Sequence, residues 1–420
     1  MELLYSNEKK VNLWRKWGVV VFMLMVFFSS VYLFRLSVLS EEFIYLFQAS
    51  TLLMMVFLIS FQVFYSSNEG VEKRFFGPVI LLLLGVILSM YTAYIYYQQS
   101  YFISMWANRY MFFFLFYIVL HQLYVTPVYL ERLLFILGVI YALAFLLQYA
   151  VFPTLLFDVR IGVERGTIRL FIPGLAFLNI AYLIALQRVL YRNSLYYFIF
   201  MGFFLVVFLL TGTRSIIAGP ALVTVFALFF SKRVKSRLGI IVLVFFTIGL
   251  AFYLFQDIVL YLVSLSEQQS VYTGEDIRMK AGRFFLTDFF PNAFAYLTGN
   301  SEAHQASRYG MEVYGYKMQW NFYQSDVGFI GEFSKYGMFL FISALLIFIK
   351  AFRYPLSDNY AYARYFMILI LVTLPFGSSF TTPDYIVVLC VVMYLFDIEK
   401  NKHSASARTS RYAVYFPEVE

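Results

Sequence analysis

Only one cysteine, Cys390, occurs in 420 residues. It stands in an apolar run, so neither a disulfide framework nor a Cys-x-x-Cys metal knuckle can form, and a small core or lipid-facing role is expected for it. Charge is scarce too: 13% charged against 62% hydrophobic residues lies far outside the balance of a soluble globular protein. The short-range alternation of apolar and polar residues that a transmembrane β-barrel needs is missing. No small-residue cleavage site follows the first apolar run, which is therefore expected to stay as a membrane helix. Internal repeats are absent, which speaks against a transporter built from inverted halves.

What is present is a series of long apolar runs. Crossing about 30 Å of hydrocarbon takes roughly 20 mostly apolar residues in a helix, which satisfies its own backbone as lipid demands. Such runs lie near 17–38, 43–65, 78–97, 110–125, 133–152, 173–190, 195–210, 215–231, 238–256, 328–349, 362–377 and 384–398, so about 12 transmembrane helices are expected. Lys9, Lys10, Arg15 and Lys16 precede the first run and place the N-terminus inside by the positive-inside rule. Alternation then puts Lys73 and Arg74, Arg188 and Arg192, the basic loop Ser231–Arg237, Lys350, Arg353 and Arg364, and the tail with Lys400 and Lys402 on the same side. The formal net charge of +8 is thus mainly topogenic, and no nucleic-acid partner is expected.

The expected organisation is transmembrane helices one to nine in 1–256, a large non-cytoplasmic loop in 257–327, helices ten to twelve in 328–398, and a cytoplasmic tail in 399–420. The loop is polar and rich in aromatic residues such as Phe284, Phe289, Tyr309, Tyr316, Trp320 and Phe322. Short helices lying against the membrane surface are predicted there, because rings with polar edges favour the interface.

The sharpest local signal is Thr211-Gly212-Thr213-Arg214-Ser215, between two apolar helices. Gly212 permits a tight turn. Thr211 and Thr213 can cap backbone groups, and Thr213 or Ser215 can open the next helix. A helix start with an arginine fork beside it makes a phosphate or oxyanion site; an arginine snorkelling to headgroups is the plain alternative. Arg169 precedes a helix on the same side, and Arg278 and Arg283 lie in the amphipathic stretch Asp276–Arg283, which would otherwise be a solvated or headgroup-binding face. A diphosphate between a polyprenol tail and a sugar needs such a cationic cradle. It also departs as an anion when the sugar is transferred, and positive charge stabilises that departure without a metal. Arg169, Arg214, Arg278 and Arg283 are therefore the expected diphosphate-binding residues, with Arg214 also catalytic.

An acceptor hydroxyl needs orientation and a base. Among Glu275, Asp276, Asp288, Asp326 and Glu332, the favoured residue is Asp326, which stands where the loop re-enters the membrane. A helix N-cap is its alternative or additional role. Glu332 lies about two turns deeper, where an ionised group must pair or face a wet cavity; an arginine of the cradle is its expected partner. His304 is a further candidate, with a solvated loop position as its plainer reading. His121 and His403 fall on the opposite side and drop out.

These residues resemble the O-antigen polymerase and O-antigen ligase superfamily of bacterial polysaccharide assembly. The resemblance rests on the Thr-Gly-Thr-Arg turn at 211–214, on Arg169-Leu170-Phe171-Ile172-Pro173-Gly174 leading into a Pro-containing helix, and on a long loop with arginines followed by a helix opening before a glycine, ending Lys335-Tyr336-Gly337. It covers roughly 160–350. In the ligase branch a histidine heads the re-entry helix, whereas Asp326 stands here, which favours a Wzy-type polymerase. The resemblance implies an all-α, GT-C-like polytopic protein of the bacterial inner membrane with both termini cytoplasmic. It implies a metal-independent glycosyltransferase without cofactors, acting on undecaprenyl-diphosphate-linked oligosaccharides as donor and acceptor amid membrane lipids, with a chain-length regulator and a flippase as partners. The competing expectations are a ligase-like glycan transferase, a lipid-linked oligosaccharide flippase, and a scaffold whose arginines hold headgroups.

Overall fold

The computed structural model describes residues 13–65, 72–162, 169–230, 240–242, 245, 249 and 277–415. It is about 79% helical, and its apolar helices mark it as an all-α membrane protein. The long helices are α1 (Leu13–Ser30), α2 (Glu41–Tyr65), α3 (Phe76–Tyr97), α6 (Pro127–Val151), α7 (Leu175–Arg192), α8 (Leu195–Leu210) and α9 (Arg214–Phe230). Between α3 and α6 lie α4 (Tyr101–Ala107) and α5 (Leu115–Leu123), joined by a 3-10 turn. After α9 come three short helices, α10 (Ile277–Thr287), α11 (Ala293–Thr298) and α12 (Arg308–Trp320), and then α13 (Phe329–Arg353), α14 (Ala361–Thr373) and α15 (Pro383–Tyr415).

Among the described residues, five helices (α2, α3, α6, α7 and α13) are long and apolar enough to cross a membrane, or six if α4 and α5, bent by 60°, form one broken span. The predicted run 110–125 falls on that bend, which starts in a 3-10 segment rather than a straight helix. The predicted run 17–38 ends early: α1 stops at Ser30, and Tyr32–Arg35 turn through φ values of 51 to 57°. The run 238–256 and the basic loop 231–237 lie almost wholly outside the described residues, as do 257–276 of the large loop. A small departure from all-α structure is the antiparallel pair β1 (Arg160–Gly162) and β2 (Arg169–Phe171). Pro173 precedes α7 instead of lying in it, and Gly174, at φ 114°, takes the N-cap position.

Helix α7 is the hub. It packs on α6, α8, α9, α14 and α15, and most of its length is buried. That placement explains its low mean hydropathy of 1.2: a helix surrounded by protein need not be lipid-like, and it carries Asn179, Gln187 and Arg188 inward. Close approach of α6 and α7 depends on Gly138, where a Cβ would overlap Ala181 Cβ and sit 2.6 Å from the Phe177 carbonyl. Small residues at such crossings let backbones approach where no hydrophobic force separates protein from lipid. Cys390 resolves as a core residue, within 3.7 Å of the Phe113 carbonyl.

The segment from α10 to Val327 has a core of its own, built on Ala281, Phe285, Phe289, Tyr309 and Val327. Phe284 meets Tyr316, Trp320 and Phe322 edge-on or tilted, and Tyr309 stacks on Tyr97 of α3 with centroids 4.1 Å apart. Burial pushes the Tyr309 hydroxyl well above its ordinary range, so this ring stays neutral.

Candidate functional site

The turn between α8 and α9 is built as a sharp reversal. Gly212 has φ 62°, a region open to glycine. The Thr211 hydroxyl donates to the Phe208 carbonyl at 2.7 Å, closing the end of α8, and the Thr213 hydroxyl donates to Thr211 O at 3.3 Å. Both threonine hydroxyls therefore serve carbonyls. Thr213 O accepts from Ile216 N and Ile217 N, making Thr213 the N-cap residue by its backbone. Arg214 is consequently the first residue of α9; its side chain lies outside the described residues.

Ser215 opens onto a cavity of about 180 Å³ shared with Leu175 and Asn179 of α7, with Gly377 and Ser378 of the link from α14 to α15, and with Tyr385 of α15. This link reaches the large loop directly. Phe329 N donates to Leu374 O at 2.8 Å, and Gly328 lies so close that a Cβ there would overlap the same carbonyl. Just before it, Gln324–Val327 form a 3-10 turn against which α10 packs through Gly282, facing Ile330 and Val327. Packing thus runs from this link through Phe329 to the 324–327 turn carrying Asp326 and on to the helix carrying Arg278 and Arg283, but none of Arg169, Arg278, Arg283 and Asp326 lines the cavity beside Ser215.

Arg278 and Arg283 are both exposed on α10. Arg169 is half-buried at the start of β2, opposite Gly162. Asp326 is exposed and accepts from Ser325 Oγ at 3.2 Å. It is not the N-cap of α13; Gly328 is, with no side-chain cap bond. His304 is half-buried, and its Nδ1 accepts from Ala306 N at 3.2 Å while its own N–H donates to Gln99 Oε1 at 3.0 Å. Those bonds make it a turn-forming residue. Of the remaining carboxylates, Asp288 is exposed, and Glu275 and Asp276 lie outside the described residues.

Glu332 is 1% exposed, and its partner is a lysine of its own helix rather than an arginine of the cradle. Lys335 Nζ lies 3.4 Å from Glu332 Oε1 and 2.9 Å from Glu302 Oε2. The geometry follows from α13 spacing, three residues apart on one face, and from a clamp in which Ser301 N donates to Lys335 O at 2.7 Å and Asn300 N to Ser334 O at 3.0 Å. Lys335→Met would leave a buried carboxylate without its cation. The expected cost is about 3–5 kcal/mol, seen as a lower thermal midpoint of the purified protein, with Lys335→Met/Glu332→Gln recovering most of it.

Three polar residues were not singled out from the sequence. Arg109, 8% exposed, donates to Gln48 Oε1 at 3.0 Å, to Trp106 O at 2.8 Å and to the Tyr110 hydroxyl. Its guanidinium lies 5.0, 4.8 and 4.1 Å from the ring centroids of Tyr45, Trp106 and Tyr110. Aromatic faces and carbonyl oxygens thus hold the cation, and no carboxylate pairs with it among the described residues. Asp384, 7% exposed, accepts from Ala176 N at 3.0 Å and so ties the start of α15 to the first turn of α7. Its signal was present as Thr382-Pro383-Asp384, an acidic residue in the first turn of a Pro-opened helix. Asn179, 3% exposed, donates to Tyr385 Oη at 2.7 Å. Far along the helices from this end lie two buried pairs, Arg188 with Glu131, and His121 with Asp397 at 3.0 Å.

Among the described residues, no group of three or more His, Cys, Asp or Glu side chains could hold a metal ion. Compared with known proteins, the chain matches no family model and no curated sequence.

Proposed function

We propose that this protein is a membrane glycosyltransferase that polymerises undecaprenyl-diphosphate-linked oligosaccharide repeat units into O-antigen, capsule or exopolysaccharide on the periplasmic side of a bacterial inner membrane. In this reading about 12 helices span the bilayer in a GT-C-like arrangement, with both termini cytoplasmic. The observation that carries it is the opening of α9: an arginine at the first helical position, following a glycine turn, beside a cavity that Ser215 lines. A helix start offers oriented N–H groups, and arginine adds a fork of donors, which together suit a diphosphate.

The donor is the growing glycan on its lipid diphosphate. A hydroxyl of the incoming lipid-linked unit attacks the anomeric carbon, the bond from that carbon to the phosphate oxygen breaks, and undecaprenyl diphosphate leaves with the electron pair. Arg214, with Arg278, Arg283 and Arg169, neutralises the charge that develops on the departing oxygen. Asp326, exposed at its turn, orients the acceptor hydroxyl and takes its proton. Glu332 is already committed to Lys335 and His304 to its own turn, so both are supports rather than the base.

The reading is tested by the lipid-linked intermediates of a deletion strain. Single repeat units are expected to accumulate on the periplasmic leaflet while long surface polymer disappears. Units trapped on the cytoplasmic leaflet would mean a flippase instead, and long polymer held on its carrier but not transferred onward would mean a ligase.

A further inference from the structure

Away from the α8–α9 turn, the end of α1 and the start of α2 enclose a small cleft. Arg35, Glu41 and Asp158 line it, and Tyr32 and Tyr45 form its aromatic wall. Residues 32–35 run through four consecutive left-handed φ values of 51 to 57°, a region that side chains other than glycine rarely adopt. The segment 156–158 holds this turn: Ser37 N donates to Leu156 O at 3.0 Å, and Asp158 N donates to Arg35 O at 2.6 Å. The second bond brings a basic and an acidic residue, distant in sequence, to the same cleft. Among the described residues no ion pair joins Arg35 to Glu41 or Asp158, so the three charges do not satisfy one another.

Size and setting narrow the occupant. The cleft holds about 20 Å³, room for one group the size of a water molecule or an ammonium. The rest of any ligand therefore lies outside the protein, against a surface that faces lipid. Helix α2 is long and apolar enough to cross a membrane, and it is the least buried of the five helices that are. It begins at Glu41, which sets the cleft at headgroup depth. Val38, Phe43 and Leu46 beside it are exposed; acyl chains cover such side chains, whereas a small soluble ligand leaves them bare.

The charges define the headgroup. Glu41 and Asp158, both exposed, offer carboxylate oxygens to a primary ammonium with its three N–H donors. Arg35, half-buried, offers a guanidinium fork to a phosphate. A choline headgroup carries methyl groups in place of N–H donors and is too large for the cleft. A glycerol headgroup brings no cation to the carboxylates.

We infer that this cleft binds phosphatidylethanolamine, with the ammonium between Glu41 and Asp158, the phosphate on Arg35 and the acyl chains along α2. The site is independent of the glycosyltransferase reaction proposed above, and its loss would leave that reading untouched.

The test is native mass spectrometry of the full-length protein in detergent, titrated with dioleoyl phosphatidylethanolamine, phosphatidylglycerol and phosphatidylcholine. The wild type is expected to bind the ethanolamine lipid about tenfold more tightly than the other two, on the order of one charge-assisted hydrogen bond. Arg35→Gln should weaken all three, because each carries a phosphate. Glu41→Gln/Asp158→Asn should reverse the preference toward phosphatidylglycerol, since it leaves Arg35 at the cleft and Arg109 behind it, 5.0 Å from the Tyr45 ring centroid. Both substitutions are near-isosteric at exposed positions, and a monodisperse size-exclusion profile verifies that the variant is folded. Equal binding of the three lipids by the wild type, or an ethanolamine preference that survives the double substitution, would overturn the site; so would equal loss of all three lipids in that variant. Glycerophosphoethanolamine, which lacks acyl chains, should not displace the lipid at equal concentration. Displacement would overturn the lipid as the occupant.

Discussion

Replacing Arg214 by alanine is expected to eliminate long surface polymer while leaving the protein in the membrane at normal abundance. The position explains both halves of the result. Arg214 is the first residue of α9, after a turn whose shape is set by Gly212 at φ 62° and by the Thr211 and Thr213 hydroxyls on carbonyls. The turn's own bonds come from Thr211 and Thr213. The helix start keeps its backbone donors but loses a charged, two-pronged partner for the departing diphosphate. Loss of one such donor at a developing anion lowers turnover by about 100-fold to 1,000-fold. Arg214→Lys should retain part of the activity, because charge remains while the planar fork is gone. Measurement of glycan length by gel electrophoresis, normalised to membrane abundance, reads the effect; polymer of full length in Arg214→Ala would remove the central assignment.

The second large effect is structural. Gly299→Ala is expected to unfold the junction between the loop and α13. Gly299 has φ 78°, and a Cβ there would overlap the Lys335 carbonyl and the Tyr336 nitrogen, both backbone groups that cannot swing aside. Overpacking of this kind costs about 1–3 kcal/mol, and a non-glycine residue held in the left-handed region adds roughly 1–3 kcal/mol. The clamp of Ser301 N on Lys335 O and Asn300 N on Ser334 O would open with it, separating Glu302 from Lys335. Gly315→Ala provides the contrast, since nothing lies within 4 Å of a Cβ at that position in α12. It should be neutral or slightly stabilising, as alanine is the better helix former. Fluorescence-detected size exclusion after heating distinguishes the two, and equal stability of both variants would mean the 299–301 clamp is not built as described.

Much of the scaffold was legible because lipid enforces it. A segment that crosses hydrocarbon must be helical and apolar along its length, so runs such as 78–97 and 133–152 fall on Phe76–Tyr97 and Pro127–Val151 within a few residues. The Thr-Gly-Thr-Arg turn was legible for a similar reason: a glycine between two apolar runs, followed by a charged residue, has few ways to be arranged. Partner choice was not legible. Glu332 and Lys335 stand three apart, yet whether either faces the other, the arginines or lipid depends on how α13 is rotated against 299–302. Asn179 gave no signal, because a lone amide in an apolar run reads the same whether it meets a tyrosine or a neighbouring backbone.

By itself, then, the order of residues determined that this chain lives in a membrane as a set of helices, where some of those helices, such as Phe76–Tyr97 and Pro127–Val151, begin and end to within a few positions, and that a glycine-led turn presents Arg214. Only the tertiary structure decided that Ser215, Asn179 and Tyr385 share a cavity, that Arg109 is held by rings instead of carboxylates, and that Asp384 ties α15 to α7. Composition and periodicity are local quantities, enforced by the solvent around each segment. Contacts between residues some 200 positions apart depend on helix rotation and crossing, which many sequences of the same apolar pattern would satisfy differently.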